Sequence, residues 1–231
     1  MAQPPDIAET FVKEVDENLR RDQVRDFFKA YGSWLVVALI LFLAACGGYI
    51  WWQNHRHQQA EAQVEQLATI YKDIGVGKTD KAPGQLDALA KSGNTGVRAT
   101  ALFTAAALAI QQNDNKLAIS KYQEIAADKG LPGPYRDAAL VRQTALEFDD
   151  LDAQQVITRM APLAKPGQPW FGSAGEMTAL ALIKQGKNQQ AGQLFASLAK
   201  DKTVPDSIRN RSIQIAGSLG VDASAALPKA Q

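Results

Sequence analysis

The chain has 231 residues, of which 46% are hydrophobic, and its 25 Lys and Arg nearly balance its 24 Asp and Glu, for a formal net charge of +1. A chain with so little net charge has no global electrostatic attraction to nucleic acid, so that class of partner is not expected. The single cysteine excludes an intrachain disulfide and is compatible with an oxidising compartment.

Residues 1–29 are predicted to form a cytoplasmic amphipathic tail. Asp6 follows two prolines and can cap a helix. Apolar residues recur every four positions in that helix, at Ile7, Phe11, Val15 and Leu19. This apolar face can lie against the bilayer or a cytoplasmic partner, and a weakly helical solvated tail is the alternative.

Residues 30–54 contain no Asp, Glu, Lys or Arg and are predicted to form a transmembrane helix. At about 1.5 Å per residue, the segment from Trp34 to Trp52 is roughly 27 Å long, close to the ~30 Å hydrocarbon core of a bilayer. Its strongly apolar side chains together favour insertion by about 3–5 kcal/mol. Aromatic rings at both ends are typical of headgroup anchors. The predicted membrane-anchoring residues are Trp34, Tyr49, Trp51 and Trp52.

The positive charges flanking this span predict its orientation. Four basic residues precede it and two follow it within about twenty residues: Arg20, Arg21, Arg25 and Lys29, then Arg56 and Lys72. Because loops rich in Lys and Arg stay inside, the N-terminus is expected in the cytoplasm and the large C-terminal remainder outside.

The alternatives to a plain anchor are a cleaved secretory signal, a lipidated cysteine and re-entrant insertion, and nothing in the sequence indicates the last of these. A cleaved secretory signal is disfavoured, because the leader of about 30 residues is acidic and the apolar stretch is longer than the usual 7–15 residues. The sequence Leu43-Ala44-Ala45-Cys46-Gly47 resembles a bacterial lipoprotein cleavage box, in which the cysteine becomes a lipidated N-terminus. Apolar residues continue beyond Cys46 to Trp52, which favours further membrane over a polar tether.

Residues 55–84 are predicted to form a helical stalk and linker, with a buried stripe at Ala60, Val64, Leu67, Ile70 and Tyr71. Gly75-Val76-Gly77 ends the stalk. Residues 85–220 then show helical periodicity in bouts bounded by Gly, Pro, Asn or Asp, which predicts helices at 85–92, 96–112, 114–128, 134–149, 151–164, 169–186, 188–200 and 205–218. Residues 221–231 are predicted to be a disordered tail.

Three second-of-pair helices share a small residue followed four positions later by a larger apolar one: Ala118 and Tyr122, Ala153 and Ile157, Ala191 and Phe195. Ile125, Met160 and Leu198 continue the pattern, and Ala106, Val141 and Ala179 stand twelve positions upstream of the small residues. This spacing resembles the tetratricopeptide repeat, in which a small residue lets two helices approach closely. Generic Ala-rich hairpins are the alternative. The predicted fold is all-α, a single N-terminal transmembrane helix followed by a tetratricopeptide-like α-solenoid of helical hairpins.

No motif predicts catalysis. Gly75-Val76-Gly77-Lys78-Thr79 lacks the first glycine of a phosphate-binding loop and follows a helix rather than a strand. His55 and His57 point apart on a helix, so they cannot share a metal without further ligands. The acidic cluster Glu147, Asp149, Asp150 and Asp152 is typical of a solvated turn. We therefore expect no enzyme activity, cofactor, metal or small-molecule substrate.

The sequence from Gln23 to Gly32 before the span, and Trp51-Trp52-Gln53-Asn54-His55 at its end, resembles the family of ancillary subunits of the bacterial SecYEG translocon. The resemblance implies a bacterial inner-membrane protein with a cytoplasmic N-terminus and a periplasmic repeat domain. It also implies protein partners: translocon subunits, a membrane-anchored periplasmic chaperone and secreted clients. A lipid-anchored tetratricopeptide scaffold in envelope assembly or cell division is the alternative function.

The inner surface of a repeat stack is usually lined by the first helix of each pair. The predicted partner-binding residues are Arg98, Leu102, Arg136, Arg142, Glu176 and Leu180.

Overall fold

The computed structural model describes the backbone of residues 7–223 and the side chains of residues 29, 34, 36–55 and 58–223. The predicted cap at Asp6, the apolar face of residues 7–28 and residues 224–231 of the predicted tail lie outside the described side chains. The chain divides into two compact units, residues 1–61 and residues 62–231.

The described residues form helices and no strand, which confirms the all-α prediction. The helices are α1 (Ile7–Gly75), α2 (Ala82–Leu89), α3 (Thr95–Gln111), α4 (Asn115–Ala127), α5 (Gly133–Leu146), α6 (Ala153–Met160), α7 (Phe171–Lys184), α8 (Asn188–Lys200) and α9 (Asp206–Ser218).

The sequence Gly75-Val76-Gly77 ends α1 by a left-handed turn. Gly77 has φ +79°, a conformation that only glycine adopts without strain. The N–H of Gly77 donates to the carbonyl of Ile74 at 3.0 Å, and the N–H of Lys78 donates to that of Asp73 at 2.8 Å. These glycines therefore terminate α1.

The stripe predicted along the last turns of α1 is only partly buried. Leu67 and Ile70 are 7% and 1% exposed and pack against α2 and α3. Val64 and Tyr71, predicted to be buried, are instead 56% and 47% exposed. The prediction was wrong for these two residues because α2 and α3 cover only one side of α1.

The core of the second unit is a series of clusters rather than one centre. Each cluster is built by consecutive helices: the end of α1 with α2 and α3, then α3 to α5, then α5 to α7, and finally α7 to α9. A core that passes from one helical pair to the next is the expected organisation of a helical-repeat stack.

The small residues predicted at the helix crossings are buried in the first and third repeats. Ala118 and Ala191 are 0% exposed, as is Phe195. In the middle repeat Met160 is buried like its counterparts Ile125 and Leu198, but Ala153 and Ile157 are only half-buried, and Val156 turns inward. The reason is that α6 has only eight residues and begins at Ala153, so this alanine lies at the end of the helix rather than at a crossing.

Local sequence signals explain where several helices begin. The side chain of Asn94 accepts hydrogen bonds from two N–H groups of the first turn of α3, and that of Asp114 accepts one from Leu117. Asp152 and Gln155 form a capping box at α6. Each satisfies an N–H group that the helix itself leaves unpaired.

Candidate interaction surface

Side chains of successive helical pairs meet at separations close to the length of one repeat. The hydroxyl oxygens of Tyr71 and Thr104 are 2.8 Å apart across 33 residues. The Lys121 ammonium lies 2.7 Å from the Asp87 carboxylate across 34 residues, and Arg211 bonds Glu176 across 35. Since neighbours in a solenoid meet through equivalent positions, these separations indicate stacked repeats of about that length.

Three contacts join consecutive members of the odd-numbered helices α1, α3, α5, α7 and α9. One joins α1 to α3, one joins α3 to α5 and one joins α7 to α9. They place polar and aromatic groups at the accessible side of the helix pairs. We name their six residues the odd-helix edge: Tyr71, Phe103, Thr104, Arg142, Glu176 and Arg211.

The contact between α1 and α3 is a hydrogen bond between two hydroxyl groups. Thr104 donates its own hydroxyl hydrogen to the carbonyl of Thr100 at 2.8 Å, so its oxygen accepts from the Tyr71 hydroxyl. The Tyr71 side chain is otherwise about half-exposed. This bond fixes an aromatic ring at the surface of the first helical pair.

The contact between α3 and α5 is a cation over an aromatic ring. The guanidinium carbon of Arg142 lies 5.4 Å from the centroid of the Phe103 ring. That ring is itself held by Tyr122, 5.9 Å away between centroids and 2% exposed. Because Arg142 is exposed, its guanidinium is both positioned and accessible, an arrangement suited to a carboxylate or a backbone carbonyl of a partner.

The contact between α7 and α9 is a two-point ion pair. Arg211 donates from Nε and Nη2 to the two Glu176 carboxylate oxygens at 2.5 and 2.9 Å. Hydrogen bonding to Glu176 raises the pKa of Arg211 above its ordinary value. The Glu176 side chain is 16% exposed and that of Arg211 is 50% exposed. The pair therefore orients an accessible cation at the end of the stack.

Two of the predicted partner-binding residues, Arg98 and Leu102, make contacts within the repeat domain. Arg98 Nε lies 3.1 Å from Asp128 Oδ2, and its Nη1 donates to the carbonyl of Ser92, so the side chain ties the loop before α3 to the loop after α4. Leu102 is 1% exposed in the cluster of α3 to α5. Its prediction as a partner-binding residue was wrong, because it lies on the face of α3 that packs against neighbouring helices.

The other four predicted residues lie at or near the surface. Arg142 and Glu176 belong to the odd-helix edge. Arg136 is half-buried at the start of α5, where its buried Nε has no protein hydrogen-bond partner. Leu180 is half-buried and packs against the cluster of α7 to α9. Whether any of them contacts a partner stays a prediction.

Sequence reasoning missed four members of the odd-helix edge: Tyr71, Phe103, Thr104 and Arg211. A signal for two contacts was present, because Tyr71 with Thr104 and Glu176 with Arg211 are chemically complementary pairs separated by one repeat length. A search for complementary side chains at that separation would have found them. Phe103 lacks such a signal, since its contact with Arg142 spans a different separation.

The acidic cluster between α5 and α6 is a structural turn. Glu147 pairs with Arg159, and the carboxylate of Asp149 lies 3.5 Å from the Lys184 ammonium. That ammonium also lies 4.2 Å from the centroid of the Phe148 ring. Among the described residues, no three His, Cys, Asp or Glu side chains are grouped so that they could hold a metal ion.

In the first unit, aromatic side chains predicted as membrane anchors are exposed. Trp34, Tyr49, Trp51 and Trp52 are 73%, 62%, 70% and 51% exposed. The segment Val36–Gly75 belongs to the one helix, among the described residues, that is long and apolar enough to cross a membrane by length and composition. The His55 ring stacks on that of Trp51 with centroids 5.7 Å apart.

A family model described as a tetratricopeptide repeat-like domain matches residues 25–215, which is most of the chain. No curated protein and no solved structure matches the chain.

Proposed function

The chain belongs to the tetratricopeptide repeat-like domain family, and we propose on that premise that it is a membrane-anchored module that binds other proteins through the odd-helix edge. Tetratricopeptide-like domains are typically protein-interaction modules rather than enzymes. The observation that carries the proposal is the set of side-chain contacts that joins α1 to α3, α3 to α5 and α7 to α9 and that includes the exposed residues Tyr71, Arg142 and Arg211.

The anchor is the apolar part of α1, residues 30–54. Described side chains of this region are largely exposed in the first unit, among them Leu41 and Phe42, both 65% exposed. A contiguous apolar surface of this kind is costly in water and is stabilised in a bilayer. The basic residues before the span support a cytoplasmic tail of residues 1–29, with residues 55–231 on the opposite side of the inner membrane.

The partner is an extended segment of another protein. An extended chain offers backbone carbonyls and carboxylates along its length, and the odd-helix edge offers groups that complement them. Arg142 over Phe103 and Arg211 beside Glu176 present oriented guanidinium groups, while Tyr71 adds an aromatic face. Arg136 and Leu180, which are both half-buried, are further candidate contacts.

The finer identity that we propose is an accessory subunit of the Sec translocon that assists proteins as they enter the periplasm. It is supported by the resemblance of residues 23–32 and 51–55 to the ancillary translocon subunits. It is also supported by the order of the parts, in which one apolar helix precedes a repeat domain. Translocon subunits, a periplasmic chaperone and secreted clients are then the proposed partners.

The binding test uses charge reversal on two helices of the same domain. Arg142→Glu inverts an edge residue, and the matched control Lys116→Glu inverts an exposed lysine on α4. Full-length variants are purified from membranes in a mild detergent, and co-purifying proteins are quantified. We expect the amount of co-purifying protein to fall at least tenfold for Arg142→Glu and to stay at the parental level for Lys116→Glu. Equal retention by both variants contradicts the assigned edge, and partners that include no translocon subunit contradict the finer identity.

The anchor and its orientation are tested separately. An alkaline phosphatase reporter fused to the C-terminus should be active, because the enzyme matures only outside the cytoplasm. A fully made but inactive fusion contradicts the orientation. Mass spectrometry of the protein from membranes should show Cys46 unmodified within an intact chain. An acylated Cys46 at a new N-terminus would instead support the lipid-anchored scaffold.

A further inference from the structure

The chain does not leave the stack after α9 but turns back onto it. Gly220 has φ +77°, and the N–H of Val221 donates to the carbonyl of Ala216 at 2.9 Å. The N–H of Gly220 also donates to the carbonyl of Gly217 at 3.0 Å, and these two bonds with the left-handed glycine form a helix ending of the Schellman type. Residues 219–223, which we name the C-terminal strap, therefore continue along the last helical pair.

The strap is packed rather than disordered. Ala223 is 3% exposed and belongs to the cluster of α7 to α9, and Leu219 and Val221 pack against the same cluster. The sequence-based prediction of a disordered tail at residues 221–231 is wrong for residues 221–223. The apolar side chains at 219, 221 and 223 supply the physical reason, since each contributes apolar surface to the core.

The strap packs closely against α8 at Gly192. A Cβ atom added at Gly192 would lie 2.6 Å from Val221 Cγ2 and 3.2 Å from Val221 Cβ. Real Cβ atoms do not approach other carbons that closely, so any side chain at position 192 collides with the strap. Glycine inside a helix costs about 1 kcal/mol relative to alanine. At this position the cost is offset by the contact that only glycine permits.

The place that the strap occupies explains its role. In a helical-repeat stack each helical pair covers apolar surface of its neighbour. An uncovered apolar end favours head-to-tail association of copies, and such an interface does not close on itself but can extend into filaments. The strap covers part of α8 beside α9 in the last cluster.

We infer that the C-terminal strap covers apolar surface of the cluster of α7 to α9 and that this cover prevents copies of this chain from associating through that surface. The contact of Val221 with α8 at Gly192 holds the strap in place. This inference is independent of the partner that the odd-helix edge binds.

The test releases the strap in the full-length protein. Gly192→Ala introduces the clash with Val221, and Gly217→Ala is the matched control, because nothing lies within 4 Å of a Cβ at position 217. Hydrogen exchange of the Val221 amide reports strap release, and sedimentation in detergent over a hundredfold range of concentration reports association. We expect Gly192→Ala to exchange Val221 at least tenfold faster and to associate with rising concentration. The control should match the parent chain in both measurements.

A second-site rescue separates strap release from general damage to α8. Val221→Gly removes the two Val221 atoms that clash with the added Cβ and leaves only the ordinary contact with Leu219 Cβ at 3.4 Å. The double variant Gly192→Ala with Val221→Gly should therefore recover part of the lost protection and the parental size distribution. Val221→Asp leaves α8 unchanged and should also release the strap and cause association. The inference is overturned if either Gly192→Ala or Val221→Asp exposes the Val221 amide without association, or if Gly192→Ala leaves the amide fully protected.

Discussion

The close approach of α7 and α8 predicts that Gly175→Ala destabilises the repeat domain although alanine is the better helix former. A Cβ added at Gly175 would lie 2.9 Å from Leu198 Cδ2 and 3.3 Å from Phe171 Cε2. Leu198 is 0% exposed and Phe171 is 1% exposed, so both side chains are enclosed by the core. Leu198 must therefore shift within a packed interior to admit the added methyl, which costs free energy.

The magnitude follows from two opposing terms. Replacing glycine by alanine inside a helix stabilises by about 1 kcal/mol, whereas overpacking a filled core costs about 1–3 kcal/mol. With an added carbon below 3 Å from a fully buried one, we expect the overpacking term to win by about 1 kcal/mol. Gly217→Ala has the same chemistry in α9 with nothing within 4 Å, so it should stabilise by about 0.5 kcal/mol.

The assay is urea unfolding of the two full-length variants beside the parent chain, followed by far-UV circular dichroism. The free energy of unfolding should fall for Gly175→Ala and rise for Gly217→Ala. Equal stabilisation of both variants would refute the reasoning, because it would mean that α7 and α8 leave room for a methyl group at their crossing.

Three further predictions concern polar groups in the second unit. Ser212 is 0% exposed with a hydroxyl that has no protein hydrogen-bond partner, so Ser212→Ala should leave the free energy of unfolding unchanged or raise it by up to about 1 kcal/mol in urea titrations. The hydroxyl and N–H of Thr203 donate to the Asp201 carboxylate and lower its pKa. The ionised carboxylate therefore stabilises the fold at pH values above its unfolded-state pKa. This stabilisation is lost as the pH falls through the folded-state pKa. Asp201→Asn should therefore lower the Tm at pH 7, and the difference should shrink as the pH falls through the lowered folded-state pKa of Asp201. A double-mutant cycle on Glu176 and Arg211 should give a coupling of about 0.5–1 kcal/mol that weakens in high salt, and a coupling of zero would exclude the pair as a structural contact in solution.

The helices of the repeat domain could be predicted from sequence because their ends carry strong local signals. Gly77 terminates α1, Asn94 and Asp114 cap α3 and α4, and Pro205 precedes α9. Such signals act through a residue's own backbone or its nearest N–H groups, so they need no knowledge of the rest of the fold.

The surface could not be predicted equally well, because a helical face is defined by the neighbours that cover it. The apolar spacing of α1 treats Ile70 and Tyr71 alike, yet α2 and α3 bury the first and leave the second about half-exposed. Likewise, Leu102 and Phe103 are adjacent on α3, and only the first is fully buried. Periodicity identifies that a helix has an apolar side, whereas tertiary packing decides how wide a part of that side remains accessible.

The middle repeat and the C-terminal strap show the same limit. The spacing of Ala153 and Ile157 matches the other repeats, but the short helix α6 shifts which residues turn inward. The contact of Gly192 with Val221 joins residues that share no motif. The first feature depends on the length of α6, and the second depends on the course of the chain after α9. A periodic pattern of apolar residues predicts neither.

The measurement that tests the central claim most directly is site-specific photocrosslinking in living cells. A photoreactive residue is placed at Arg142 and Arg211 on the odd-helix edge and, as controls, at the exposed positions Gln123 on α4 and Gln193 on α8. We predict protein adducts from both edge positions, with little or none from the controls. Adducts from the α4 and α8 positions in the absence of adducts from the edge would contradict the proposed binding surface.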